Sequence, residues 1–122
     1  YGVNAEIINL HSLVPLDYEK IVESVRKTGK VLLVSDACTR GSFLNDVAHN
    51  ISNLCFDYLD APVAIVGAKN WITPPFEFDE FFFPQESWII DTVNDELLPL
   101  PGHVSEHTVT EAEQLRRLRE GV

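Results

Sequence analysis

The loop Asp36-Ala-Cys-Thr-Arg-Gly-Ser42 is the stretch of this 122-residue sequence whose residue types are best placed to hold a ligand. It follows an apolar run that reads as a parallel strand and opens what reads as a helix. Ligands of open parallel sheets bind beyond the carboxyl ends of the strands, and a glycine-containing loop before a helix can offer backbone amides to an anion. Asp36, Arg40, Gly41 and Ser42 are therefore the candidate anion or partner-contact residues. The sequence carries neither a dinucleotide fingerprint nor a phosphate loop. A connecting loop that packs against a partner domain, with Ser42 capping the helix, accounts for the same residues without a ligand.

The other reactive side chains are more scattered. His103 and His107 stand four apart, a helical metal spacing, but Pro101 and Gly102 argue against a helix there, and no cysteine or third histidine follows. A solvated tail is expected. His11 and His49 read as structural or surface histidines. No serine, histidine and acid triad is legible, and neither Cys38 nor Cys55 has an activating base near it in sequence.

Nineteen acidic against nine basic residues give a net charge of −10, which disfavours nucleic acid and anionic membranes as partners. Two cysteines without metal-like spacing in such a chain read as free thiols in a reducing compartment, with a cytoplasmic location expected. No apolar run reaches the ~20 residues of a membrane span. Tyr1 opens the sequence and methionine is absent, so an excised domain or processed fragment is expected.

The elements that would position the loop follow from periodicity. Ala5 to Leu10 mixes β-branched residues in partial alternation and predicts a strand. Asp17 is placed to cap a helix with Ile21, Val22 and Val25 on one face, and Gly29 sits where the chain must leave it. Lys30 to Ser35 is a continuous apolar run, the pattern of a strand buried on both faces. A second helix opens at about Phe43 with Phe43, Leu44, Val47, Ile51, Leu54 and Cys55 on one side, and Ala61 to Gly67 predicts a third strand. From Trp71 to Pro84 proline and aromatics alternate, and the segment is expected to wrap over the surface. Its rings Trp71, Phe76, Phe78, Phe81, Phe82 and Phe83 exceed what a surface loop usually buries. An interface including some of Trp71, Phe76, Phe81 and Phe82 is expected, with half of the rings completing the core. Gln85 or Ser87 should begin a last helix with Trp88, Ile89, Val93 and Leu97 inward, ended by Pro99 and Pro101. The division is thus a domain over 1–98 and a polar tail over 99–122, dispensable for folding, in which Thr110 to Glu120 suit a charged helix.

The segment from Gly2 to Lys30, with Val31 to Asp36, Arg40-Gly-Ser-Phe43 and Leu59-Asp-Ala-Pro62, resembles the carboxy-terminal domain of the transketolase superfamily, in particular the beta subunit of thiamine-dependent 2-oxo acid dehydrogenases. The resemblance spans roughly positions 2 to 98. Family members show a strand ending in His-Glu-Ala, then paired glycines and a Phe opening the helix. Here Ser35-Asp36-Ala37 and Gly41-Ser42-Phe43 stand in those places, and Thr73-Pro-Pro-Phe76 and Phe83-Pro84 look closest to the branched-chain version. The resemblance implies a three-layer α/β/α domain with a mixed, mainly parallel sheet of about five strands. It also implies that thiamine diphosphate and magnesium belong to two preceding domains of the parent enzyme, and that no catalytic, cofactor or metal residue lies in this one. The implied role is subunit assembly, as a homodimer and with the alpha subunit, together with docking of the basic subunit-binding domain of a dihydrolipoyl acyltransferase. Two other readings share the pattern: the equivalent domain of a transketolase or deoxyxylulose phosphate synthase, and an independent flavodoxin-like module with its ligand at Asp36 to Ser42.

Overall fold

A computed structural model of the chain describes residues 1–106. The proposed helix over Thr110 to Glu120, and His107, lie outside the described residues. The first helix, α1 (Tyr18–Thr28), begins where expected. The Asp17 carboxylate accepts the backbone N–H of Lys20 at 3.2 Å, and Glu19 in the first turn with Arg26 and Lys27 in the last complements the helix dipole. Gly29 ends α1 at φ 67°, its N–H closing on the Val25 carbonyl. A side chain there would meet the Asp60 carboxyl group, which can swing aside, and lie 3.3 Å from the Tyr58 carbonyl, so the left-handed backbone angle is what calls for glycine.

Strand β1 (Leu32–Cys38) pairs in parallel with β2 (Ala64–Ala68), with helix α2 (Phe43–Leu54) between them in sequence. Leu32 faces Ala64, Leu33 faces Ile65 and Val34 faces Val66. The register then shifts, and the next pair is Cys38 with Ala68. Ser35, Asp36 and Ala37 therefore bulge out of β1, held by the Ala37 N–H donating to Ser35 Oγ at 3.1 Å. Gly67 lies against this bulge: a Cβ there would sit 2.6 Å from the Ala37 carbonyl oxygen and 3.2 Å from the Thr39 nitrogen.

Ile21 and Val25 of α1 pack with Val47, Ile51 and Cys55 of α2 and its end. Val31, Leu33 and Val63 close this core from the sheet, as do Leu10 and Leu16 from the amino-terminal segment. Strand alternation turns Ala64, Val66 and Ala68 to the opposite face. All three are buried, and α4 (Glu86–Thr92) packs against β2. The chain reaches α4 through a 3₁₀ turn at Phe76–Phe78 and the single-turn helix α3 (Asp79–Phe82), so the Trp71 to Pro84 segment wraps over the surface with two short helical turns inside it.

Several expectations need correction. Ala5 to Leu10 forms no ladder among the described residues. A β-branched run becomes a strand only beside a backbone partner, and this one docks through Leu10 and a Lys27 Nζ to Glu6 contact at 3.0 Å. β1 is half-exposed rather than buried on both faces, with Val34 46% exposed, because β2 is its single neighbour among the described residues and α4 lies over β2. Among the described residues the sheet has these two strands. On α2, Leu44, Val47 and Ile51 are buried while Leu54 is exposed. Trp88, Ile89, Val93 and Leu97 are all half-buried; the buried residue of α4 is Asp91.

Asp91 also corrects the expectation of a solvated tail. Its carboxylate bonds His103 Nε2 at 2.6 Å through one oxygen and accepts the Glu106 N–H at 3.1 Å through the other. His103 Nδ1 meets the Tyr1 hydroxyl at 2.9 Å, and Leu100 is buried. Residues 100–106 are thus docked on α4. A chain ending at Gly102 should melt several degrees below one ending at Glu106, since it leaves the Asp91 carboxylate without two partners, worth about 1–3 kcal/mol. Equal melting temperatures by circular dichroism would show that the docked segment adds nothing.

Candidate functional site

The bulge places Asp36 and Ala37 on the surface at the carboxyl end of β1, and the rest of the loop is tied down from three directions. The Thr39 N–H reaches the Ala68 carbonyl at 3.3 Å. Asn70, just past β2, accepts the Arg40 N–H at 2.8 Å and donates to Thr39 Oγ1 at 3.0 Å. Asn45 in the first turn of α2 donates to the Thr39 carbonyl at 2.8 Å. The Cys38 thiol donates to the Lys69 carbonyl at 3.1 Å, and the Lys69 N–H in turn donates to the Phe82 carbonyl at 3.0 Å. The two loops that follow β1 and β2 are one hydrogen-bonded unit, latched to α3.

Of the candidate ligand residues, Asp36 and Arg40 are exposed, and Gly41 turns the chain at φ 70° with open space around it. Ser42 occupies the N-cap position of α2 in extended conformation, but its hydroxyl makes no cap bond and is buried without a hydrogen-bond partner. The Arg40 amide is taken by Asn70. The loop is thus pinned to its neighbours at Thr39 and Arg40. Among the described residues no three His, Cys, Asp or Glu side chains gather to hold a metal ion, and no helix is long and apolar enough to cross a membrane.

Lys69 and Asn70 are residues that sequence reading passed over. The rule that singled out the end of β1 applies equally to the end of β2. Lys69 Nζ lies 4.1 Å from the centroid of the Trp88 ring, and burial lowers its pKa from the ordinary lysine value. Cys55 is fully buried, and burial raises its thiol pKa, with the Arg26 charge pulling the other way. A raised pKa leaves less thiolate at any given pH. In the folded chain an aromatic disulfide reagent at pH 8 should therefore modify Cys38 quickly and Cys55 at least tenfold more slowly, the second thiol reacting fully only in denaturant. Two equally fast thiols would contradict this burial.

An open groove of about 630 Å³ runs along the outer side of α1, lined by residues such as Tyr18, Val22, Arg26 and Leu54 and by none of the 36–42 loop. The aromatic band divides as periodicity on α3 dictates. Phe82 is 2% exposed and packs edge-on against Phe83 with centroids 4.9 Å apart, so it belongs to the core and not to the expected surface. Trp71, Phe76, Phe78 and Phe81 are each more than half exposed.

Residues 1–89 match the family model described as transketolase, C-terminal domain. The chain belongs to that family. The match takes in α1 through the first half of α4, with the hydrogen-bonded loop pair at its centre. Among curated relatives, the chain is 38% identical over 93 residues to 2-oxoisovalerate dehydrogenase subunit beta 2, mitochondrial, of Arabidopsis thaliana, covering 75% of this chain and 25% of that protein. It is 38% identical over 99 residues to the pyruvate dehydrogenase E1 component subunit beta, mitochondrial, of Saccharomyces cerevisiae, covering 80% and 27%. Over 62 residues it is 45% identical to the 2-oxoisovalerate dehydrogenase subunit beta of Bacillus subtilis, covering 51% and 19%. The chain spans about a quarter of the length of the first two relatives.

Proposed function

We propose that this transketolase C-terminal domain serves the beta subunit of a thiamine diphosphate-dependent 2-oxo acid dehydrogenase, which decarboxylates a 2-oxo acid and passes the acyl group to lipoyl. Its part is assembly and docking. The observation that carries this is the pinning of the loop at the carboxyl ends of the strands: Asn70 accepts the Arg40 N–H, Asn70 and Asn45 hold Thr39, and the exposed side chains of the loop, Asp36 and Arg40, suit contact with a partner domain. The beta-subunit names of the relatives support the class of enzyme. Thiamine diphosphate and magnesium belong in this reading to the preceding domains of the parent enzyme, and no chemical step runs through this one.

In this reading the domain has the family's three-layer architecture with a sheet of about five strands, two of which are β1 and β2. Its partners are the alpha subunit, a second beta subunit and the basic subunit-binding domain of a dihydrolipoyl acyltransferase, with the exposed rings Trp71, Phe76 and Phe81 as contact residues. The two free thiols suit a reducing aqueous compartment. The cytoplasm is the expectation, although two of the relatives are mitochondrial by name. The test is replacement: this chain is put in place of the matching segment of the Bacillus subtilis subunit. A hybrid that assembles and retains dehydrogenase activity supports the reading, and a folded hybrid that fails to assemble overturns it.

A further inference from the structure

The four lysines of the chain, Lys20, Lys27, Lys30 and Lys69, divide three to one in the folded structure. Lys20 Nζ lies 3.4 Å from Glu23, Lys27 Nζ 3.0 Å from Glu6 and Lys30 Nζ 2.9 Å from Asp60. Lys69 has no carboxylate partner among the described residues, although residues 70–106 hold eight acidic side chains and no lysine or arginine. Its amine lies instead 4.1 Å from the centroid of the Trp88 ring, so the half-buried side chain spans from the loop after β2 to α4. The backbone of Lys69 is fixed on both sides. Its N–H donates to the Phe82 carbonyl, and its own carbonyl accepts the Cys38 thiol.

A facing carboxylate favours the ammonium form of a lysine, and burial disfavours it. Lys69 has the burial without the carboxylate, and its pKa is lowered from the ordinary lysine value. The indole face attracts the cation less strongly than a facing charge would, and it holds the side chain in one place. We propose that Lys69 is a lysine acylation site, its Nζ taking the acyl group of a small thioester. The neutral amine attacks the thioester carbonyl carbon and a C–N bond forms. The C–S bond then breaks, the thiolate leaves, and the surplus proton of the amine goes to the thiolate. The product is an uncharged amide, which offers the Trp88 ring no cation, so acylation removes this tie between the loop after β2 and α4. Lys20, Lys27 and Lys30, each facing a carboxylate, are the poorer acceptors. The proposal stands apart from the assembly reading above, since it concerns an amine of this chain alone.

The test incubates the full chain with S-acetyl-N-acetylcysteamine, a small uncharged thioester, and follows each lysine by mass spectrometry of proteolytic peptides. In the native chain Lys69 should be acetylated at least about fivefold faster than each of the other three, because a lower pKa leaves more free amine at a given pH. In concentrated urea the four rates should come together. Lys69 reacting no faster than the ion-paired lysines overturns the proposal, and so does a lead that persists in urea, which would place the cause in local sequence. The comparison is repeated in Cys38→Ser, where the thiol bonded to the Lys69 carbonyl can no longer pass on an acyl group. A lead kept there supports the proposal, and a lead lost there assigns the selectivity to the thiol and overturns it. The consequence is read in chains that carry Trp71→Phe, which leaves Trp88 as the one tryptophan. Lys69→Gln, which stands in for the neutral amide, should shift the Trp88 emission and lower the melting temperature by a few degrees. Lys69→Arg keeps a cation for the ring and should do neither. Identical emission and melting in the two variants would show that the charge ties nothing to α4, and would overturn that part of the proposal.

Discussion

Gly67→Ala should give a chain that is mostly unfolded or aggregated at 37 °C. The added methyl would lie 2.6 Å from the Ala37 carbonyl oxygen and 3.0 Å from the Thr39 methyl, with the Thr39 nitrogen at 3.2 Å. Two of these three neighbours are backbone in the β1 bulge, so no side-chain rotation can relieve the clash. Either the strands part or the bulge is rebuilt, and both routes break the hydrogen bonds that Asn70 and Asn45 make to the loop. Overpacking of a rigid site costs about 1–3 kcal/mol, and each of these exposed or part-buried hydrogen bonds adds about 0.5–1.5 kcal/mol when lost. A total of about 4–5 kcal/mol would remove most of the stability of a domain this size. Urea unfolding followed by circular dichroism checks it, and a midpoint within experimental error of the parent would show that the bulge can move freely.

Asp91→Ala is expected to be nearly as damaging, for a different reason. The carboxylate is 4% exposed and bridges the His103 ring and the Glu106 amide. Removing it leaves the His103 ring and the Glu106 N–H without their acceptor and releases residues 103–106 from the helix. Hydrogen bonds to a charged group are worth about 1.5–3 kcal/mol, so a loss of about 3 kcal/mol and a melting temperature lower by about 10 °C are expected. Asp91→Asn keeps an acceptor and should recover part of the loss. In hydrogen exchange the 103–106 amides should lose protection in the alanine variant while α1 and α2 keep theirs. Equal loss in all of them would place Asp91 in the global fold rather than in a local latch.

What the sequence showed and what it hid separate along physical lines. Helix ends are local, and Asp17, Gly29 and the opening of α2 at Phe43 were legible because each depends on a few neighbouring residues. Strand identity was legible for β1 and β2 but not for Ala5 to Leu10, since pairing depends on a partner far along the chain. The bulge at Ser35 to Ala37 was hidden for the same reason. Gly67 looks like any strand-end glycine until Ala37 is seen beside it. Phe81 and Phe82 are equivalent as composition, and only the single turn of α3 decides that one faces solvent and the other the core. Asp91 and His103 are twelve residues apart with two prolines between them, which reads as helix end and tail. Their contact is a tertiary fact. At the candidate loop, the hydrogen bonds by which Asn70 and Asn45 pin Thr39 and Arg40 were not visible, because both asparagines come from other parts of the fold.

The proposed role of this domain is to dock partners, with the chemistry carried by other domains of the parent enzyme. Isothermal titration of the intact chain with the subunit-binding domain of a dihydrolipoyl acyltransferase tests that most directly. Saturable binding with a dissociation constant of about 10 µM or tighter, corresponding to about 7 kcal/mol, and weakening at least severalfold as salt screens the acidic surface, is the predicted result. No heat of binding at any salt concentration, together with tight binding of thiamine diphosphate by the same chain, would contradict it.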